Sequence, residues 1–60
     1  MLQVEIFDEE HEEDLQSKMN VFLKDLEESQ VIDIKYSVSS MIDTVGDQVY
    51  CFSALVLYRN

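Results

Sequence analysis

Val49-Tyr50-Cys51-Phe52-Ser53-Ala54-Leu55-Val56-Leu57-Tyr58 carries no charge, no Gly and no Pro, and is dominated by aromatic and aliphatic side chains. That composition predicts a β-strand. The two-residue strand period puts Tyr50, Phe52, Ala54, Val56 and Tyr58 on one face. Val49, Cys51, Ser53, Leu55 and Leu57 fall on the other. Both faces are mostly apolar, which suits an interior strand covered on two sides. A chain of 60 residues has little left with which to cover both.

Working back from this strand, Gly46-Asp47 is the strongest turn signal, within a connection running from Met41 to Gln48. Before it, Val31-Ile32-Asp33-Ile34-Lys35-Tyr36-Ser37-Val38 alternates as an amphipathic strand. Ile32, Ile34, Tyr36 and Val38 share one face, while Asp33, Lys35 and Ser37 share the other. Beyond Ser39 the alternation slips, which predicts a bulge or strand end there. Further upstream, Leu15, Met19, Phe22, Leu23 and Leu26 form one apolar stripe at helical spacing. Asp8 is a suitable N-cap, and the acidic residues behind it match the positive end of a helix dipole. A helix is therefore expected at about residues 9 to 29. Leu2, Val4 and Ile6 alternate with Gln3, Glu5 and Phe7 as a short half-buried strand, and Phe7 should turn toward the helix.

The expected fold is α+β, a single domain over 1–60 in the order β-α-β-β. One helix packs on a three-stranded, mostly antiparallel sheet. The C-terminal strand is placed at the centre, because it alone is apolar on both sides and the two alternating strands suit edges.

The formal charge of −9 and the scattered cations Lys18, Lys24, Lys35 and Arg59 argue against nucleic acid or an anionic membrane as direct partner. A basic protein partner fits that charge. The single Cys excludes an intramolecular disulfide and fits a reducing, cytoplasmic setting. Within an apolar strand, Cys51 reads as an inert thiol. The start of the chain lacks a basic, signal-like region, and the uncharged run from Gln48 to Tyr58 is too short for a membrane-spanning helix.

Asp8-Glu9-Glu10-His11-Glu12-Glu13-Asp14 is the one cluster of groups suited to chemistry. Asp8 and His11, or His11 and Asp14, lie one helical turn apart, as in di-metal helix bundles. Such bundles gather ligands from several helices, and this chain has one. Zinc or iron would want more His or Cys. The cluster reads as a dipole-matched helix start, with no metal or cofactor assigned. Ser37, Ser39, Ser40 and Ser53 have only His11 to activate any of them, and Gly46 stands alone without a phosphate loop, so no catalytic residue is assigned and no enzyme is expected.

Val4-Glu5-Ile6-Phe7-Asp8-Glu9-Glu10-His11-Glu12, Val31-Ile32-Asp33-Ile34-Lys35-Tyr36 and Tyr50-Cys51-Phe52-Ser53-Ala54-Leu55-Val56-Leu57-Tyr58 resemble the small sporulation proteins of endospore-forming Bacillus relatives. The resemblance runs over nearly the whole chain. It implies a cytosolic protein of the mother-cell sporulation programme and brings no reaction, ligand or site residue with it. A second analogy, of plan alone, is to the dodecins, small flavin-storing shells. Their flavin stacks on Trp, which this chain lacks. The alternative it offers is a carrier of a flavin-like or other aromatic ligand.

One amphipathic helix covers one face of a three-stranded sheet. The outward face of the last strand would then carry large apolar residues in a row, a patch that soluble monomers rarely leave bare. A homodimer or higher homo-oligomer is expected, with Cys51, Phe52, Leu55 and Leu57 as interface candidates. Whether the Phe52 face or the Leu55 face points outward is left open by the alternation.

Overall fold

The computed structural model describes residues 1–60 and contains β1 (Leu2–Glu9), α1 (Glu12–Lys24), β2 (Val31–Ile42) and β3 (Gln48–Arg59). The sheet order is β1-β3-β2, with β3 antiparallel to both neighbours. The C-terminal strand is central, and the α+β plan of β-α-β-β is the observed one.

β3 sets the register. Phe7 lies opposite Ala54, and Tyr36 lies opposite Ala54 from the other side. Directly opposed residues of an antiparallel pair point to the same face. The face of Phe52, Ala54, Val56 and Tyr58 therefore also carries Gln3, Glu5 and Phe7 of β1, and Ile34, Tyr36 and Val38 of β2. This is the face on which α1 packs. Val56 and Ala54 are buried beneath it with Leu15 of the helix. Phe22 meets Phe7 and Tyr58 edge-on, at centroid distances of 5.6 and 5.2 Å. Phe7 does turn toward the helix, as its position in β1 suggested.

α1 is shorter than the spacing of its apolar stripe implies. It spans Glu12–Lys24 rather than 9 to 29, about 20 Å at 1.5 Å per residue. Its N-cap is His11, not Asp8, because β1 continues through Glu9 and leaves only Glu10 and His11 to make the corner. Hydrogen bonding to β3 outcompetes helix nucleation over residues that suited both. At the other end, a single 3₁₀ turn at Glu28–Gln30 makes the connection to β2. Gln30 accepts from the Glu27 amide at 2.8 Å and donates to the Arg59 carbonyl at 2.9 Å, tying this connector to the end of β3.

The irregularity expected after Ser39 lies elsewhere. β2 pairs without interruption from Asp33 to Ile42, and the register shift falls at Ile32. Ser40 takes its place opposite Tyr50 and Met41 opposite Val49, since ladder hydrogen bonds do not require a matching apolar pattern. The hairpin turns at Asp43–Asp47. The Asp43 carboxylate accepts from the amides of Val45 and Asp47 at 3.0 and 2.9 Å, and Gly46 takes φ 89°. Pairing with β1 stops at Phe52, so Gln48–Cys51 and Ser39–Ile42 form a two-stranded arm. The arm gives the molecule extents of 45 × 18 × 11 Å.

Candidate functional site

The short corner at Glu10-His11 pins α1 beside β1, so the helix lies over β1 and β3 and leaves β2 largely uncovered. A helix is about 10 Å across and strands are about 4.8 Å apart, so a single helix shelters two strands of the three. Two apolar surfaces remain outside the core.

The first is the face away from the helix. Val4 lies opposite Leu57 and Ile6 opposite Leu55, with Leu2 beside them opposite Arg59. Leu2, Val4 and Ile6 are exposed, at 56, 51 and 64 %. The apolar side of β1, which its alternation alone would turn inward, points outward. β3 governs this outcome: Phe7 faces the helix, and the strand period then sends Ile6 and Val4 the other way. Two of the three polar β1 residues on the helix side, Gln3 and Glu9, find partners at its margin. Gln3 accepts from the Tyr58 hydroxyl at 2.8 Å, and Lys18 donates to the Glu9 carboxylate at 2.6 Å. That hydrogen bond and charge hold the Lys18 ammonium above its usual range.

Of the candidate interface residues, Cys51, Leu55 and Leu57 lie on this open face and Phe52 lies on the helix face, stacked on Tyr50 at 6.2 Å. The alternation paired residues correctly but could not locate Leu2, Val4 and Ile6 on the open face, because it does not say which side receives the helix. The same face carries Asp8, whose carboxylate accepts from Ser53 Oγ at 2.6 Å, and an ion pair between Lys35 and Asp33 at 3.4 Å. With Arg59 included, its two carboxylates are matched by two cations. The entire net charge of −9 is carried by the rest of the molecule.

The second surface is a groove of about 510 Å³ between α1 and β2, lined by Leu15, Met19, Leu23 and Tyr36 with Glu12 and Glu13 at one end. A further concavity, of about 730 Å³, lies between Glu10–Asp14 and the β3 strand of the arm at Gln48–Tyr50 and Phe52. Asp8 and His11, grouped by spacing in the sequence, are separated by the structure. Asp8 sits on the open face in β1, and His11 begins the helix with an extended backbone and no side-chain cap. No three His, Cys, Asp or Glu side chains converge as a metal site would require.

These features define a small α+β protein in which one helix shelters two strands of a three-stranded sheet and leaves a largely apolar, charge-balanced face open. The chain belongs to the family of sporulation protein Cse60, whose model matches residues 1–60. It is 63 % identical over 59 residues to sporulation protein cse60 of Bacillus subtilis (strain 168), covering 98 % of each chain. No solved structure matches it. No helix is long and apolar enough to cross a membrane.

Proposed function

We propose that this sporulation protein is a non-enzymatic structural or interaction module whose working unit is a homo-oligomer, built by packing the open sheet face of one copy on that of another. The observation that carries this reading is the open face itself, with Leu2, Val4 and Ile6 exposed beside Leu55 and Leu57. Only three of 60 residues are buried, and the chain exposes 4820 Å². A compact monomer of 7.0 kDa would expose about 4,000 Å². The surplus is close to the roughly 800 Å² that each partner contributes to a standard interface. Charge supports the same pairing. A copy carrying −9 repels another, but the electrically balanced face brings no carboxylate excess into the contact. A two-fold axis would set β1 and β3 of one copy on β1 and β3 of the next. The free Cys51 supports a reducing, cytoplasmic setting.

Sedimentation of the protein at micromolar concentration tests this. A dimer or larger species is expected, and it should tighten with added salt as repulsion between acidic copies is screened. A stable 7.0 kDa monomer across that range overturns the reading.

The stacked pair Tyr50–Phe52 beside the 730 Å³ recess favours a second reading, a carrier for a flat ligand. Glu10, Glu12, Glu13 and Asp14 on the opposite wall oppose any phosphate-bearing flavin, which ranks this reading below the first. A visible chromophore or a small-molecule mass on gently purified protein would reverse the order.

A further inference from the structure

The groove between α1 and β2 lies on the opposite side of the sheet from the self-association face, and its chemistry is different. One wall is the helical ridge of Met19 and Leu23, spaced i and i+4, with the buried Leu15 at its base. Tyr36 forms the floor, and Ile34 and Val38 stand on the same side of β2, 43 and 50 % exposed. A ridge of i±4 side chains is the surface that a second helix packs against, at an axis separation of about 8–10 Å. The uncovered strip over β2 has its outer side open and admits one. Glu12 and Glu13 close one end of the groove, and Gln16 and Asn20 are its other polar residues. Three of the four cations are elsewhere: Lys18 is held by Glu9, and Lys35 and Arg59 belong to the opposite sheet face, while Lys24 ends the helix about three turns away from Glu12 and Glu13.

We propose that this groove docks a basic amphipathic helix of a different protein. Its apolar side would lie on Met19, Leu23 and Tyr36, with its Lys or Arg residues meeting Glu12 and Glu13. The thioether of Met19 adapts to side chains of varied shape. A second copy of this chain is the wrong occupant, because its one helix, Glu12–Lys24, is not basic: it carries three carboxylates against two cations. The proposal goes beyond self-association and stands apart from it, since the two faces share no residue.

The probe is a synthetic Leu/Lys peptide whose leucines follow helical spacing. Its comparisons are a permuted peptide of the same composition without an apolar face, and a Leu/Glu counterpart. Amide shifts in the full-length protein locate binding, and fluorescence anisotropy gives affinity. The ordered Leu/Lys peptide should move Met19, Leu23 and Tyr36. Glu12→Gln with Glu13→Gln should weaken it at least about fivefold, and added salt should loosen it. Tyr36→Asp, at a residue 57 % exposed, should abolish binding while leaving the oligomer intact. Equal binding of the permuted or Leu/Glu peptide overturns the proposal, as do shifts confined to Leu55 and Leu57. Dissociation of the oligomer by Tyr36→Asp also overturns it, by making the groove a contact between copies.

Discussion

Ile6→Asp is the substitution that separates the strength of self-association from the stability of the single chain. Ile6 is 64 % exposed in the isolated chain, so little of its apolar surface contributes to the monomer's own core. In the proposed dimer it would be covered, next to Leu55 of its own copy. Full burial of an Ile side chain stabilises by about 1.5–3 kcal/mol, of which nearly two thirds is still available to an interface here. Placing a carboxylate in the same position adds a desolvation cost of at least about 2 kcal/mol. Two-fold symmetry applies both terms twice, giving about 6 kcal/mol or more, or about four powers of ten in Kd. Sedimentation velocity over a concentration series, with far-UV circular dichroism alongside, reads the result. The variant should sediment as a monomer at concentrations where the parent is associated. Its melting temperature should lose the rise with concentration that mass action imposes on an oligomer. Phe52→Asp is the contrasting change: Phe52 faces the helix, so it should lower helix content and Tm of the single chain directly. An Ile6→Asp protein with the parent's Kd would refute the assignment of the open face as interface.

Two further substitutions test the local structure. His11 caps α1 at φ −130° and ψ 133° with no side-chain hydrogen bond, a backbone already suited to Ser. His11→Ser should therefore stabilise by about 1 kcal/mol, raising Tm by about 4–8 °C, whereas an unchanged Tm would show that no free helical amide is there to be capped. At the hairpin tip, a Cβ on Gly46 would touch nothing within 4 Å, but φ 89° disfavours any side chain. Gly46→Ala should cost about 1 kcal/mol from backbone strain alone, measured by urea unfolding, and a neutral result would mean that the turn relaxes freely.

The position of α1 has a consequence for both proposed surfaces. Its tether to β1 is two residues long, while the connection from Lys24 to β2 is longer and anchored through Gln30 to Arg59. The short tether draws the helix over β1, although the side of β1 that it covers holds Gln3, Glu5 and Glu9. The apolar side of β1 is left on the open face and the apolar side of β2 is left in the groove. Chain connectivity, rather than the best match of apolar surfaces within one copy, settles which apolar residues stay exposed.

Much of this protein is legible in its residues alone. The uncharged run from Val49 to Tyr58 defines the central strand, because apolar side chains on both sides exclude an edge position that faces water. The stripe of Leu15, Met19, Phe22 and Leu23 defines the helix, and the period of two pairs Leu55 with Leu57 and Phe52 with Val56. Those signals are local, arising from backbone geometry and from water's exclusion of apolar surface. They carry no information on which side of a two-sided apolar strand receives the helix. That choice, the end of β1 at Glu9 rather than Phe7, and the bulge at Ile32 rather than beyond Ser39 were decided by tertiary structure. Ladder hydrogen bonds to β3 extended both outer strands past the point where their own patterns falter. The packing of Phe22 between Phe7 and Tyr58 then fixed the helix to one face and turned Leu2, Val4 and Ile6 to the other.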